Sequence, residues 1–173
     1  KIKSLTLYNF CVYYLYTYIM NKYNKNTNML FKDCVCFLVG RVSRRLNKVT
    51  KESISSYGLT TSQFFMLIAL YEENGILISK LAKKVALDKA TLTGIVDRLE
   101  RDGLVERKND PKDRRAIRVY LTPKAEAMRE ELLDIYHENN SRFLSVLSED
   151  EKRIFERVVE KLERIGGLIE EDE

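Results

Sequence analysis

One stretch, Ser79 to Thr122, constrains the fold of this chain more than any other: SKLAKKVALDKATLTGIVDRLERDGLVERKNDPKDRRAIRVYLT. Its pattern predicts two helices across one tight turn. Ser79 is the expected N-cap of a short helix carrying Leu81, Ala82 and Val85, and Asp88 that of the next, because a short side-chain oxygen satisfies the amides that open a helix. In the second helix Leu92, Ile95, Val96 and Leu99 fall at i, i+3, i+4 and i+7, one apolar stripe that has to face a core. Ala90, Thr93, Gly94, Asp97 and Arg101 line the other face, where Asp97 and Arg101 are spaced to pair with each other. Gly103 follows where a left-handed residue is wanted, since only Gly adopts it without a Cβ penalty.

Leu104 to Lys108 and Ala116 to Leu121 are β-prone, with Ile117, Val119 and Leu121 alternating against Arg118 and Tyr120. Between them Asn109-Asp110-Pro111-Lys112-Asp113-Arg114-Arg115 has the chemistry of a turn, so the pair reads as a hairpin with a charged tip. Helix, turn, helix and hairpin make a winged helix-turn-helix, whose second helix can enter a major groove while the hairpin reaches the backbone or minor groove beside it. Lys89, Thr91 and Thr93 occupy the first turns of that helix, where free amides and the helix dipole favour phosphate. Thr can also bond base edges or touch a thymine methyl. Gly94 on the same face has two readings: it allows close approach to the groove, or it is tolerated at a cost of ~1 kcal/mol relative to Ala.

At these residues the chain resembles the MarR family of transcriptional regulators. The family's wing signature, Asp, one residue, Arg, five residues, then Leu-Thr, stands unbroken as Asp113, Arg115, Leu121 and Thr122. LDKATLTGIVDRLERDGLVER is also similar to the family's recognition helix and first wing strand, although many relatives carry a longer side chain at the position of Gly94. The resemblance extends over about Phe31 to Ile169. It implies a mainly α (α+β) fold, a winged helix-turn-helix with flanking N- and C-terminal dimerisation helices. Residues 29–173 are then one MarR-type domain: 29–58 a dimerisation helix, 59–122 the winged helix-turn-helix, 123–173 the remaining dimerisation helices. By the same resemblance Arg115 is the wing-tip arginine and Asp113 the acid that helps hold it. A guanidinium in a narrow minor groove is favoured by the negative potential there. Lys112 and Arg114 are assigned to phosphate.

The flanking segments fit that frame. Val35, Leu38, Val42 and Val49 continue the spacing of Phe31 through a helix whose other face carries Arg41, Arg44, Arg45 and Lys48. Thr60 with Gln63 offers a capping box before the buried-looking run Phe64 to Leu70. Asn74-Gly75 is a turn, and Ile76-Leu77-Ile78 a candidate third strand. After the wing, Thr122 caps and Pro123 opens one long helix, and Ser148 with Glu151 caps the last, which repeats Ile154, Phe155, Val158, Val159, Leu162 and Ile165. The small winged domain cannot cover both apolar stripes, so a second copy is expected to. A two-fold homodimer would place two recognition helices one turn apart on double-stranded DNA, at a (pseudo)palindromic operator.

The chain is long enough, at 173 residues, for one domain with a real core. Its formal charge of +4 is unevenly spread. Lys80 to Lys124 holds 13 basic and 7 acidic residues, whereas Ala125 to Glu173 holds 7 and 15. Cationic charge on the winged segment suits a polyanion, since counterion release from phosphate drives much of DNA affinity. The charge alone suits a solvated basic surface equally well.

Family members commonly lose operator affinity when a small aromatic or phenolic anion binds between the helical region and the winged domain, so the expected action is repression relieved by such a ligand. By that resemblance Phe37, Arg41, Arg44 and Phe64 are the pocket residues, with Arg as carboxylate partner; core aromatics beside solvated arginines are the alternative. Cys36-Phe37-Leu38 also resembles the peroxide-sensing OhrR branch, making Cys36 a candidate redox residue. Gly40 departs from that branch, which tends to have Tyr there, and no His is near to lower the thiol pKa.

Enzyme chemistry finds no footing: His137 is the only His, and the seven Gly form neither a P-loop nor a dinucleotide fingerprint. Cys11, Cys34 and Cys36 make neither a disulfide framework nor a zinc spacing, so no metal or cofactor is expected and the compartment reads as reducing and cytoplasmic. A winged helix used to dock another protein in a transcription complex is the alternative from a different class. Lys1 to Asn28 stands apart, with six of the ten Tyr, five Asn and no Asp, Glu, Gly, Ala, Arg or Pro. Its apolar part, Leu5 to Met20, is interrupted and falls short of the ~20 residues of a spanning helix, so no membrane partner is expected. No small-residue cleavage site follows it. The segment reads as upstream sequence translated in frame, with Met29 as the natural start; as native sequence, its aromatic stripe would lie on a partner or a membrane surface.

Overall fold

The computed structural model describes residues 34–165. The readings placed on residues 1–28, Met29 and Phe31 lie outside them. The chain divides into two compact units, 1–45 and 46–173. In the first, the described residues form the opening turns of helix α1 (Val35–Ser53), which runs on into the second. Val35, Val39, Val42 and Leu46 follow each other along α1 as large apolar side chains exposed to solvent. Arg41, Arg44, Arg45 and Lys48 are exposed too.

The second unit is a winged helix-turn-helix followed by three helices. A 3-10 turn (Ser55–Tyr57) leads to α2 (Thr61–Glu72), β1 (Ile76–Leu77), α3 (Ile78–Lys84) and α4 (Lys89–Arg101). β2 (Val105–Asn109), β3 (Ile117–Leu121), α5 (Pro123–Ala127), α6 (Arg129–Leu144) and α7 (Glu149–Ile165) complete it. The predicted capping box opens α2: Gln63 N–H donates to Thr60 Oγ1 at 3.2 Å and Thr60 N–H to Gln63 Oε1 at 2.9 Å. Phe64 and Met66 to Tyr71 are all buried, and around them close Leu81, the α4 stripe Leu92, Ile95, Val96 and Leu99, and Val105, Val119 and Leu132. Each Leu, Ile, Val, Phe or Met among them contributes roughly 1.5–3 kcal/mol when fully buried, so this cluster is what holds the unit together. The sheet is antiparallel in the order β1-β3-β2, with Ile76 opposite Val119 and Val105 opposite Leu121.

Three local expectations are corrected. Ser79 is not an N-cap: α3 begins at Ile78, Leu77 stands at its cap without a side-chain bond, and Ile78 is helical rather than strand. Pairing of Leu77 with Arg118 holds the cap residue extended, so the sheet register, and not a hydroxyl, sets where α3 starts. The single long helix after Pro123 is two, broken at Met128, whose amide bonds Ala125 O at 3.1 Å in a tighter turn. Tyr71 Oη donates to the same carbonyl at 2.7 Å. Arg129 then forks onto Glu126, donates to Tyr71 O at 2.9 Å and lies 4.8 Å from the Tyr71 ring centroid. Burial, with Glu126 nearby, pushes the Tyr71 hydroxyl up to about 12, so it remains a donor. Third, Asp97 is engaged by Arg107 rather than by Arg101.

The turn between α3 and α4 closes on a residue in the left-handed region. Leu87 N–H donates to Ala82 O and Ala86 N–H to Lys83 O, both at 3.1 Å, with Ala86 at φ +50°. This is the C′ position of a Schellman turn, where Cβ is a liability. Gly103 fills the same place after α4 at φ +71°, bonding Glu100 O while Leu104 bonds Leu99 O. Ala86→Gly is expected to raise the unfolding free energy by about 0.5–1 kcal/mol, the strain relieved less the added freedom of the unfolded chain. Urea denaturation measures it, and an unchanged or lowered midpoint would show the turn to be unstrained.

Candidate nucleic-acid interface

The recognition helix α4 begins with a doubly satisfied cap. Asp88 Oδ1 accepts from Ala90 N–H at 3.0 Å and Thr91 N–H at 2.9 Å, and its Oδ2 accepts from the Thr91 hydroxyl at 2.6 Å. These bonds, that from the Thr91 hydroxyl foremost, hold the Asp88 carboxyl below its ordinary range. The Thr93 hydroxyl donates to Lys89 O at 2.7 Å. Both Thr hydroxyls thus spend their protons inside the helix, leaving acceptor lone pairs and methyl groups for a partner. Lys89 and Thr91 are exposed, Thr93 and Gly94 half-buried. A Cβ built on Gly94 meets nothing within 4 Å, so the chain's own packing does not require Gly there.

Asp97 does not pair with Arg101. Arg107, rising from β2, donates to Asp97 Oδ1 and to Glu100 Oε2, each at 2.6 Å, and its backbone N–H donates to Glu100 Oε1 at 3.2 Å. A planar guanidinium matches two carboxylates one turn apart, which the flexible i, i+4 pairing with Arg101 cannot rival. The bond locks the first wing strand to the middle of α4 and leaves Arg101 exposed.

The tip of the hairpin is built around Asp110, which sequence reasoning took only for a turn residue. Asp110 is 5 % exposed. Its Oδ1 accepts from Lys112 N–H at 2.7 Å and Asp113 N–H at 3.0 Å, and its Oδ2 from Arg118 Nε. These bonds, that from the Lys112 amide first, hold its carboxyl below the usual range against the opposing effect of burial. Asp113 holds Arg115 through the backbone: its Oδ1 accepts from Arg115 N–H at 2.9 Å. Lys112, Asp113, Arg114 and Arg115 are all exposed.

The acids of the winged segment are therefore all engaged by their own chain. Asp88, Asp97, Glu100, Asp110 and Asp113 are engaged as described, Asp102 accepts from Gln63 Nε2 at 2.9 Å, and Glu106 pairs with Lys108 at 2.5 Å. All seven acids between Lys80 and Lys124 have an intramolecular partner, while the cations of the tip and of the start of α4 face solvent. Such a surface presents donors and positive charge to phosphate.

The residues assigned to a ligand pocket fall in both units. Phe37 is half-buried on α1, with the Arg41 and Arg44 guanidinium carbons 6.0 Å and 5.9 Å from its ring centroid. Phe64 is 1 % exposed in the core, its ring centroid 5.2 Å from that of Phe65, a position suited to packing rather than to contact with a ligand. Cys36 is exposed and Cys34 half-buried.

Comparison with known proteins bears directly on this geometry. The model of the MarR family matches residues 59–117. Over 112 residues the chain is 30 % identical to the organic hydroperoxide resistance transcriptional regulator of Bacillus subtilis (strain 168), spanning 65 % of this chain and 76 % of that protein. The chain belongs to the MarR family. Like its relatives it is a DNA-binding transcriptional regulator with a winged helix. Among solved structures, Bordetella bronchiseptica BpsR, whose DNA binding is regulated by 6-hydroxynicotinic acid, superposes with TM-score 0.69 at 28 % identity over 77 % of this chain and 95 % of its own. A cysteine-to-serine mutant of MarR from E. coli, complexed with operator DNA, gives TM-score 0.66 at 27 % identity over 72 % of this chain and 90 % of its own.

The cap of this MarR-family recognition helix makes a pH prediction. The folded-state pKa of Asp88 lies below its unfolded value of about 4, so its stabilisation is full above that value and is lost as pH falls through the folded one. Asp88→Asn, which keeps a capping oxygen but has no carboxylate to titrate, should flatten the fall of urea-derived stability between about pH 5 and pH 2. An unchanged slope would remove the charge of Asp88 from the account of the helix start.

Proposed function

We propose that this regulator binds a (pseudo)palindromic operator as a homodimer, acts as a repressor, and releases DNA when a small aromatic or phenolic anion binds. The observation that carries the reading is the single reading head: recognition helix and cationic hairpin locked together by Arg107, with every acid of the segment internally engaged. α4 would lie in the major groove, with Lys89, Thr91, Thr93 and Gly94 at its floor and edges. Arg115 would enter the flanking minor groove, with Lys112 and Arg114 on phosphate.

The dimer reading rests on uncovered apolar surface. Val35, Val39, Val42 and Leu46 on α1, and Ile154, Phe155, Val158 and Leu162 on α7, are large hydrophobic side chains left in solvent in one copy. Stripes of that length at both ends of the chain are what a homodimer covers. Residues 29–58 and 123–173 are thus assigned to dimerisation and 59–122 to DNA. The ligand reading draws on BpsR, for which the regulating molecule is an aromatic acid, and on the two guanidinium groups beside Phe37. Exposure of Cys36, with the hydroperoxide-resistance relative, favours a second reading in which peroxide is the signal. Loss of peroxide-induced DNA release in Cys36→Ser would separate the two.

Sedimentation of the purified protein is expected to give a dimer. Its affinity for a palindrome selected from random duplexes should fall about a thousandfold between roughly 50 and 200 mM salt. Arg115→Ala should weaken that affinity about tenfold at fixed salt and leave the dimer folded. A single copy in solution, or retention on DNA that is neither sequence-selective nor salt-sensitive, would favour a protein-docking role instead.

A further inference from the structure

We propose that Asp110 and Arg118 are positioning residues for DNA binding: an ion pair between a buried acid and a half-buried arginine that fixes the wing tip in one conformation before DNA arrives and so aims Arg115. The proposal rests on the reading of the wing given above and adds to it what holds the tip in place.

The bonds form one continuous path. Arg118 Nη1 donates to Gly75 O at 2.7 Å and its Nε to Asp110 Oδ2, which anchors the acid to the turn before β1. Asp110 accepts from the amides of Lys112 and Asp113, and Asp113 from that of Arg115. Two backbone bonds of 2.9 Å close the loop, Asp110 N–H to Ala116 O and Ala116 N–H to Asp113 O. The amides of residues 110, 112, 113, 115 and 116 are thereby all engaged inside a seven-residue tip. A flexible loop carrying three cations would have to be ordered at the moment of binding, and that cost comes off the affinity.

Hairpin stability does not explain the arrangement. The ladder already runs from Val105 opposite Leu121 to Asn109 opposite Ile117, and the core contacts come from Val105, Val119 and Leu121. Residues 111–115 lie beyond the last pair, exposed, and touch no core. Burying a carboxylate is costly unless it is fully paired, so a buried acid in the only part of the wing without a core fits a role in shaping that part. Charge alone argues the opposite of what is proposed: removing an acid from a DNA-facing tip should tighten binding to phosphate.

The test is a double-mutant cycle read by fluorescence anisotropy at fixed salt, on a labelled duplex carrying the palindrome the wild-type protein selects. D110N is expected to weaken binding about tenfold although it removes a negative charge, and by less than about twofold in an R115A background. R118K keeps the charge of the wing but shortens its reach to Asp110 and Gly75, and should behave in the same way. It carries the test if D110N does not fold, as judged by sedimentation and urea unfolding. Binding as tight as wild type or tighter, or an equal loss in both backgrounds, would overturn the positioning role. R115A binding like wild type would instead remove the wing from the functional reading, and this proposal with it.

Discussion

Helix α2 has almost no solvent face, and the rest of the winged unit follows from having to surround it. Phe64 and every residue from Met66 to Tyr71 are buried, and only Phe65 among its large apolar side chains is exposed. A helix apolar on all sides cannot sit on a surface. α4 meets it with Leu92, Ile95, Val96 and Leu99, the sheet with Val119, and α6 with Leu132. The recognition helix is held by burial of one stripe, which is why its opposite face can be spent on small and polar residues without loss of the fold.

Electrostatics then decides what that outward face presents. A basic segment with seven acids scattered through it would show a patchwork to a partner if each acid were left without a partner of its own. Here the acids serve the chain: one caps α4, two hold Arg107, one shapes the hairpin tip, Asp102 takes Gln63 of α2, and Glu106 and Asp113 pair two residues on. Exposed pairs of this kind add little stability. Their consequence is geometric, because they set the angle between helix and hairpin and leave the exposed cations pointing outward as a group.

What could be read from the sequence was whatever is decided locally. The stripe of α4, the left-handed Gly103, the caps at Thr60, Asp88, Thr122 and Ser148, and the hairpin with its Asn-Asp-Pro turn each depend on residues a few positions apart, and each stands where spacing put it. The misreadings share the opposite property. Ser79 lost the start of α3 to a strand register set by Arg118, and Asp97 lost Arg101 to Arg107 ten residues on. The helix after Pro123 breaks where Tyr71, 54 residues earlier, takes the Ala125 carbonyl. Asp110 looked like a turn residue because its burial depends on Arg118, itself held by the Gly75 carbonyl 43 residues earlier. Asp88 and Asp113, which hold their neighbours across two or three residues, were legible; Arg107, Arg118 and the buried role of Asp110 were not.

The end of α2 shows why the holding residues matter beyond their own bonds. Tyr71 binds Ala125 O through its hydroxyl and receives Arg129 at its carbonyl, so it grips the first turns after the wing. Three residues on, Asn74 Oδ1 accepts from Leu121 N–H at 2.9 Å, and Gly75 O accepts from Arg118. Gly75 itself, at φ +77°, leaves no room for change, since a Cβ there would stand 2.5 Å from the Tyr120 ring. One short segment is therefore bonded both to the helices that follow the wing and to the strand that carries the wing tip. Packed side chains and directed hydrogen bonds shift between discrete arrangements rather than stretch. The turn at Met128 and the strand that carries Arg118 are thus held by the same few residues, Tyr71, Asn74 and Gly75.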